Sequence, residues 1–147
     1  MKHISTIAVV FAACFTLREP SAWAEIGQIK NVAGQVVLLR NNVQKPAKVG
    51  DLVEQADVLT TGPDGSVGIT FIDNSRFSAG PNSRIELTQF RFNPTTQEGE
   101  FTTDVKRGTL AIVSGQMAKR SPEAMKVITP TTILGVRGTT FAVKVDE

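Results

Sequence analysis

Along most of the chain beyond residue 25, hydrophobic and polar positions alternate with a period of two. Val67, Ile69 and Phe71 share one face of such a run, as do Ile85 and Leu87, and Phe141, Val143 and Val145. This is the period of a strand with one buried face. Turn signals separate the runs at Gly62-Pro63-Asp64-Gly65, Asp73-Asn74-Ser75 and Gly80-Pro81-Asn82-Ser83. Proline presets φ at such places, and Asp, Asn and Gly accept tight backbone geometry. The pattern predicts an all-β fold with strands about five to eight residues long. Its predicted core holds Val67, Ile69, Phe71, Ile85, Leu87, Ile112, Phe141 and Val143. The best helical stretch is Ser121 to Met125, where Ser121 caps and Pro122 takes the first helical position; it predicts one turn at most. Residues Asn93 to Glu100 read as an exposed loop between two longer strands.

Two internal similarities bear on how the strands are arranged. Thr61-Gly62-Pro63-Asp64-Gly65-Ser66-Val67-Gly68-Ile69-Thr70 aligns with Ala79-Gly80-Pro81-Asn82-Ser83-Arg84-Ile85-Glu86-Leu87-Thr88 at an offset of 18. Arg107-Gly108-Thr109 recurs as Arg137-Gly138-Thr139 at an offset of 30, each triplet reading as a turn before a strand. The shorter offset is close to the length of one coil of a β-solenoid, in which stacked rungs bury a shared core. The expectation is a single domain of short stacked strands, β-solenoid-like, with a β-sandwich as the alternative.

The stretch from Met1 to Ala24 follows a different pattern. Lys2 and His3 precede a mostly apolar run from Ile4 to Phe15, and Ala22-Trp23-Ala24 supplies small residues at the A-x-A positions. That is the layout of a secretory signal peptide. Arg18, Glu19 and Pro20 interrupt the run, and a spanning helix needs about 20 apolar residues. Cleavage after Ala24 is expected, leaving residues 25–147 as one periplasmic or secreted domain with no transmembrane segment. Phe11-Ala12-Ala13-Cys14 is similar to a bacterial lipobox in its last three positions, so a lipid anchor at Cys14 is the alternative.

Composition then narrows the chemistry. The 123 residues after Ala24 contain no His, Cys, Trp or Tyr. Ser-His-Asp and Cys-His catalysis lack their imidazole base, and thiolate or imidazole zinc sites lack their ligands. No cofactor or metal is expected. The whole chain carries 16 Lys and Arg against 14 Asp and Glu, a balance too even for a nucleic-acid-binding field. Val, Ile and Thr supply 36 of the 123 residues and Leu and Ala only 15, which again favours sheet over helix.

Read as a whole, residues Ile26 to Val145 resemble the FecR-domain family of bacterial envelope proteins. The resemblance lies in Gly27-Gln28-Ile29, Gly34-Gln35-Val36, Val49-Gly50-Asp51-Leu52 and Ala56-Asp57-Val58-Leu59-Thr60-Thr61. It continues through Asp64-Gly65-Ser66, Phe71-Ile72-Asp73-Asn74-Ser75 and Gly80-Pro81-Asn82-Ser83. Thr129-Pro130-Thr131 and Gly135-Val136-Arg137-Gly138-Thr139 close it. The family implies an all-β periplasmic domain, and in its best-known members the periplasmic part of a transmembrane regulator that signals to a cytoplasmic sigma factor. Those regulators place a sigma-binding segment and a membrane helix before the domain, whereas only the stretch from Met1 to Ala24 precedes it here. The expectation is therefore a free-standing exported module, noncatalytic, that binds a protein or another component of the envelope; sigma regulation is not expected of it, and signalling is one role such binding could serve.

The candidate interaction residues are Arg137, Gly138 and Thr139. A guanidinium between flexible glycines suits bidentate pairing with a carboxylate or phosphate; the alternative is that Arg137 pins its own turn. Asp51, Asp57, Asp64 and Asp73 are the acidic candidates, and their places in turns suit carboxylates that accept backbone N–H groups. A carboxylate-dependent enzyme acting on envelope polysaccharide is the rival class, since paired carboxylates alone suffice for glycoside hydrolysis. The pairs Lys106-Arg107 and Lys119-Arg120 suit contact with anionic lipid or polymer, or simple solvation. The carboxyl-terminal run, Thr139 to Val145, is the candidate edge for strand addition.

Overall fold

The computed structural model of the chain describes residues 24–137 and 140–146. The segment read as a signal peptide, with Cys14, lies outside them, as do Gly138 and Thr139. Five strands open the domain: β1 (Glu25–Ala33), β2 (Val36–Arg40), β3 (Val43–Pro46), β4 (Leu52–Glu54) and β5 (Val58–Thr61). They are followed by β6 (Ser66–Phe71), β7 (Arg76–Ala79), β8 (Arg84–Phe92) and β9 (Gly99–Val113). A short helix, α1 (Gln116–Arg120), leads to β10 (Met125–Ile128), β11 (Ile133–Gly135) and β12 (Thr140–Val145).

The sheet runs in the order β3-β2-β5-β8-β9-β7-β6-β1-β4. Laid flat, nine strands would put β3 and β4 about 38 Å apart at the usual interstrand spacing. These two end strands are joined only by residues 47–51, a link that spans about 20 Å at full stretch. The sheet must curl, and it forms a half-barrel. Its concave side is the core. Phe71 on β6 and Phe77 on β7 meet Phe90 on β8 and Phe101 on β9, with ring centroids 4.7 Å apart for Phe71–Phe101 and 4.8 Å for Phe90–Phe101. Most of these pairs meet edge to face or offset, the arrangement aromatic quadrupoles favour.

Strand β9 ties the two halves together. Its first part pairs with β8 and, in parallel, with β10; its last part pairs with β7 and β12. The strand bends between these parts. Arg84 stands opposite Arg107 and Ile85 opposite Val105, so Lys106 is an inserted bulge residue. Gly108 follows with φ of +90°, and a Cβ there would lie 2.1 Å from Ser83 Oγ. Ser83 Oγ accepts from the Thr109 amide at 3.0 Å and donates to the Gly80 carbonyl at 2.8 Å. Thr61 Oγ1 donates to that carbonyl and accepts from the Ser83 amide. Two turns and the bend are thereby fastened in one buried polar knot.

The all-β expectation holds, but the strands are not stacked as solenoid rungs. Ten of the strand pairings among the described residues are antiparallel, and only β9·β10 is parallel. The offset-18 segments enter β6 and β8, which are not neighbours, so their likeness is that of two turns opening two strands. A sandwich of separate sheets is also absent, because β9 passes through both halves. Arg107-Gly108-Thr109 is a bend inside a 15-residue strand and not a turn, because the bulge and the left-handed glycine redirect the chain without ending it. The helix lies five residues earlier than expected. Ser121 is its C-cap, and burial of Met117, a tertiary effect, sets its place.

Six of the eight expected core residues are buried; Phe141 and Val143 are only half-buried, because among the described residues β12 has a neighbour on one side alone. Asn93 holds the exposed β8–β9 loop by accepting from the Thr95 amide at 2.9 Å. Phe101→Ala should destabilise the fold by about 3–5 kcal/mol in urea titrations, and Phe141→Ala by clearly less. Thr103 is fully buried and its hydroxyl has no hydrogen-bond partner. Thr103→Val should therefore leave the urea midpoint unchanged or raise it.

Candidate functional site

Each of the four acidic candidates accepts a backbone amide: Asp51, Asp57 and Asp73 within their own turns, Asp64 from another turn. Asp57, 1% exposed, receives Arg40 Nε at 2.8 Å and Nη2 at 2.6 Å, a bidentate pair. It also accepts from the Glu54 amide at 2.8 Å. The hydrogen bond to Asp57 raises the Arg40 guanidinium above its ordinary value, against the opposing effect of partial burial. Arg40 further donates to the Leu52 carbonyl and pairs with Glu54 at 3.1 Å, clamping β2 to the β4–β5 turn. Asp73, fully buried, accepts from Ser75 Oγ at 2.7 Å and the Ser75 amide at 3.0 Å. Its carbonyl takes the Gln116 amide, which docks the β6–β7 turn on the start of α1. Asp51 accepts from the Lys48 amide, and Asp64 lies against the β1–β2 turn at Gln35.

Arg40, Ser83 and Thr61 are the residues that a reading of the sequence missed. Thr61 and Ser83 carried a faint signal, since each sits beside a Gly-Pro turn of the offset-18 pair. Arg40 carried none, because its partner lies well along the chain and is reached only across the sheet. Among the described residues no three Asp, Glu, His or Cys gather as a metal set. No helix among them is long and apolar enough to cross a membrane.

Arg137 is exposed just beyond β11, while its neighbour Val136 is buried and donates its amide to the Met125 carbonyl. Gly138 and Thr139 lie outside the described residues, so the geometry of the triplet is not on view. Arg107, its counterpart by sequence, lies half-buried in β9, in a different setting. Lys106 pairs with Asp104 at 2.7 Å, and that hydrogen bond raises its pKa.

Four strands have a partner on one side only among the described residues. β3 is wholly exposed but carries Lys45 and ends in Pro46, both of which discourage pairing. β4 and β11 are three residues long. β12 differs: it has six residues, no proline and no bulge, and its single charge, Lys144, points away from the core. Phe141, Val143 and Val145 pack half-buried against the core along its inner face. It is the longest of the four edges, and Lys144 is its one guard.

With this geometry in view, comparison with known proteins places the chain. The family model described as FecR protein matches residues 57–147, and the chain belongs to that family, generally one of noncatalytic regulatory and signalling proteins. Residues 26–56, which also contributed to the resemblance, precede the matched region. A solved structure described as "Cell surface anchoring domain" is 32% identical to this chain. It covers 44% of this chain and 87% of its own, with a TM-score of 0.42. No curated protein matches.

The Arg40–Asp57 clamp makes a definite prediction. Asp57→Asn should remove the buried, bidentate partner of Arg40 and leave it only the more exposed Glu54, at a cost of about 3 kcal/mol in urea titrations. An unchanged midpoint would show that the clamp is incidental.

Proposed function

We propose that this FecR-family chain is exported, loses residues 1–24, and acts as a noncatalytic module that takes up an extended segment of another envelope protein beside β12. The observation that carries this reading is the contrast among the four edges. Two are only three residues long and one ends in proline, whereas β12 has six residues with neither proline nor bulge, and Lys144 is its one charge. An incoming strand would extend the sheet by main-chain hydrogen bonds. Its alternate apolar side chains would complete the cover over Phe141, Val143 and Val145. Arg137, exposed two residues beyond β11, would pair with a carboxylate of such a segment. A signalling role would follow if capture of that segment were the event transmitted. The engagement of Asp51, Asp57, Asp64 and Asp73 in their turns weighs against the polysaccharide-cleaving alternative, which needs a free pair of carboxylates facing a cleft.

Two measurements test this. Intact-mass analysis of the protein from native cells should give a chain beginning at Glu25, whereas a lipid-modified product beginning at Cys14 would replace the free module with an anchored one. A photo-crosslinking residue at Ala142 should capture a discrete envelope protein in living cells, and one at Val43 on guarded β3 should not. Equal capture from both edges, or none from Ala142, would contradict strand addition.

A further inference from the structure

The convex face of the sheet, opposite the core, carries a second feature. Asn31, Gly68, Ser78, Ala111 and Ala142 stand directly opposite one another on β1, β6, β7, β9 and β12. This line runs about 19 Å across the strands at the usual spacing. A groove of about 280 Å³ lies over its β1–β9 portion. Its polar lining includes Lys30, Asn31, Thr70, Arg76 and Ser78, and no carboxylate lines it. Arg76 is exposed and has no ion-pair partner among the described residues, and the Asn31 amide lies so close over Gly68 that a Cβ there would approach its Nδ2 to 2.9 Å.

The chemistry of the groove selects its ligand. Two cations with hydroxyl and amide groups between them favour an anion that also carries hydroxyls. Lys30 and Arg76 rise from strands two spacings apart, about 10 Å, which suits charges on separate units of one chain better than a single small anion. The mature chain has no Tyr or Trp, and Phe77, beneath the groove, is 3% exposed. A neutral sugar would find no aromatic platform, so charge must supply the affinity.

We propose that this groove binds a linear polysaccharide bearing carboxylates, with Arg76 pairing with one carboxylate, Lys30 with another, and Asn31, Thr70 and Ser78 hydrogen-bonding sugar hydroxyls. It shares with the reading above only the export of the chain, since it uses the sheet's outer face and not the β12 edge. Such binding should weaken as salt rises.

Affinity electrophoresis of the purified protein through alginate, a polyuronate, tests this against neutral dextran, poly-L-glutamate and phosphatidylglycerol vesicles. Alginate should retard the protein at low salt, and dextran should not. Arg76→Glu and Lys30→Glu should each weaken retention about tenfold, the loss expected for one charge-assisted contact. Lys119→Glu, off the groove, should change nothing, and circular dichroism should confirm that every variant is folded. Absence of retardation, retention indifferent to Arg76→Glu and Lys30→Glu, or equal binding to poly-L-glutamate or vesicles would overturn the proposal.

Discussion

The half-barrel depends on the bend of β9 at Gly108. One strand can serve both halves of a curled sheet only if its backbone turns sharply without giving up its hydrogen bonds. The bulge at Lys106 supplies the change of register, and the positive φ of Gly108 supplies the change of direction. Ser83 fills the space that any Cβ at residue 108 would need. The bend thus determines which strands pair before it, β8 and β10, and which after it, β7 and β12. It also brings the phenylalanines of the two halves into contact.

What the bend leaves over is an edge. Having passed into the second half, β9 pairs with β7 on one flank and offers the other to β12, and beyond β12 no further strand is described. The remaining polar chemistry of the domain is largely committed to holding it together. Asp57 is taken up by Arg40, Asp73 by Ser75, and Ser83 by the knot around Thr61, Gly80 and Thr109. In this FecR-family domain Asp57 and Asp73 are held by their partners, and the backbone groups still unpaired among the described residues include those along the β12 edge.

The parts of the fold legible in the sequence are those set by local rules. Val67, Ile69 and Phe71 alternate because one face of β6 is buried, and the Gly-Pro turns lie where their residue types predict. What could not be read depends on residues far apart in the chain. Gly108 is required by Ser83, 25 positions earlier, and Arg40 by Asp57 across the sheet. The helix settled on Met117 because the core had room for it, overriding the better cap at Ser121. Phe141 and Val143 carry the same alternation as β6, but period reports which face turns inward, not whether a neighbouring strand completes the cover. The same blindness hides the open edge, since an edge strand and a central one share the pattern.

Amide hydrogen exchange along β12, followed by nuclear magnetic resonance in the free protein, measures that edge most directly. With β9 on one side and solvent on the other, protection from Thr140 to Val145 should alternate. Amides directed at β9 should exchange slowly and those directed outward at rates near an unstructured chain. Uniform slow exchange through all six residues would mean that the edge is already covered, and would contradict the account.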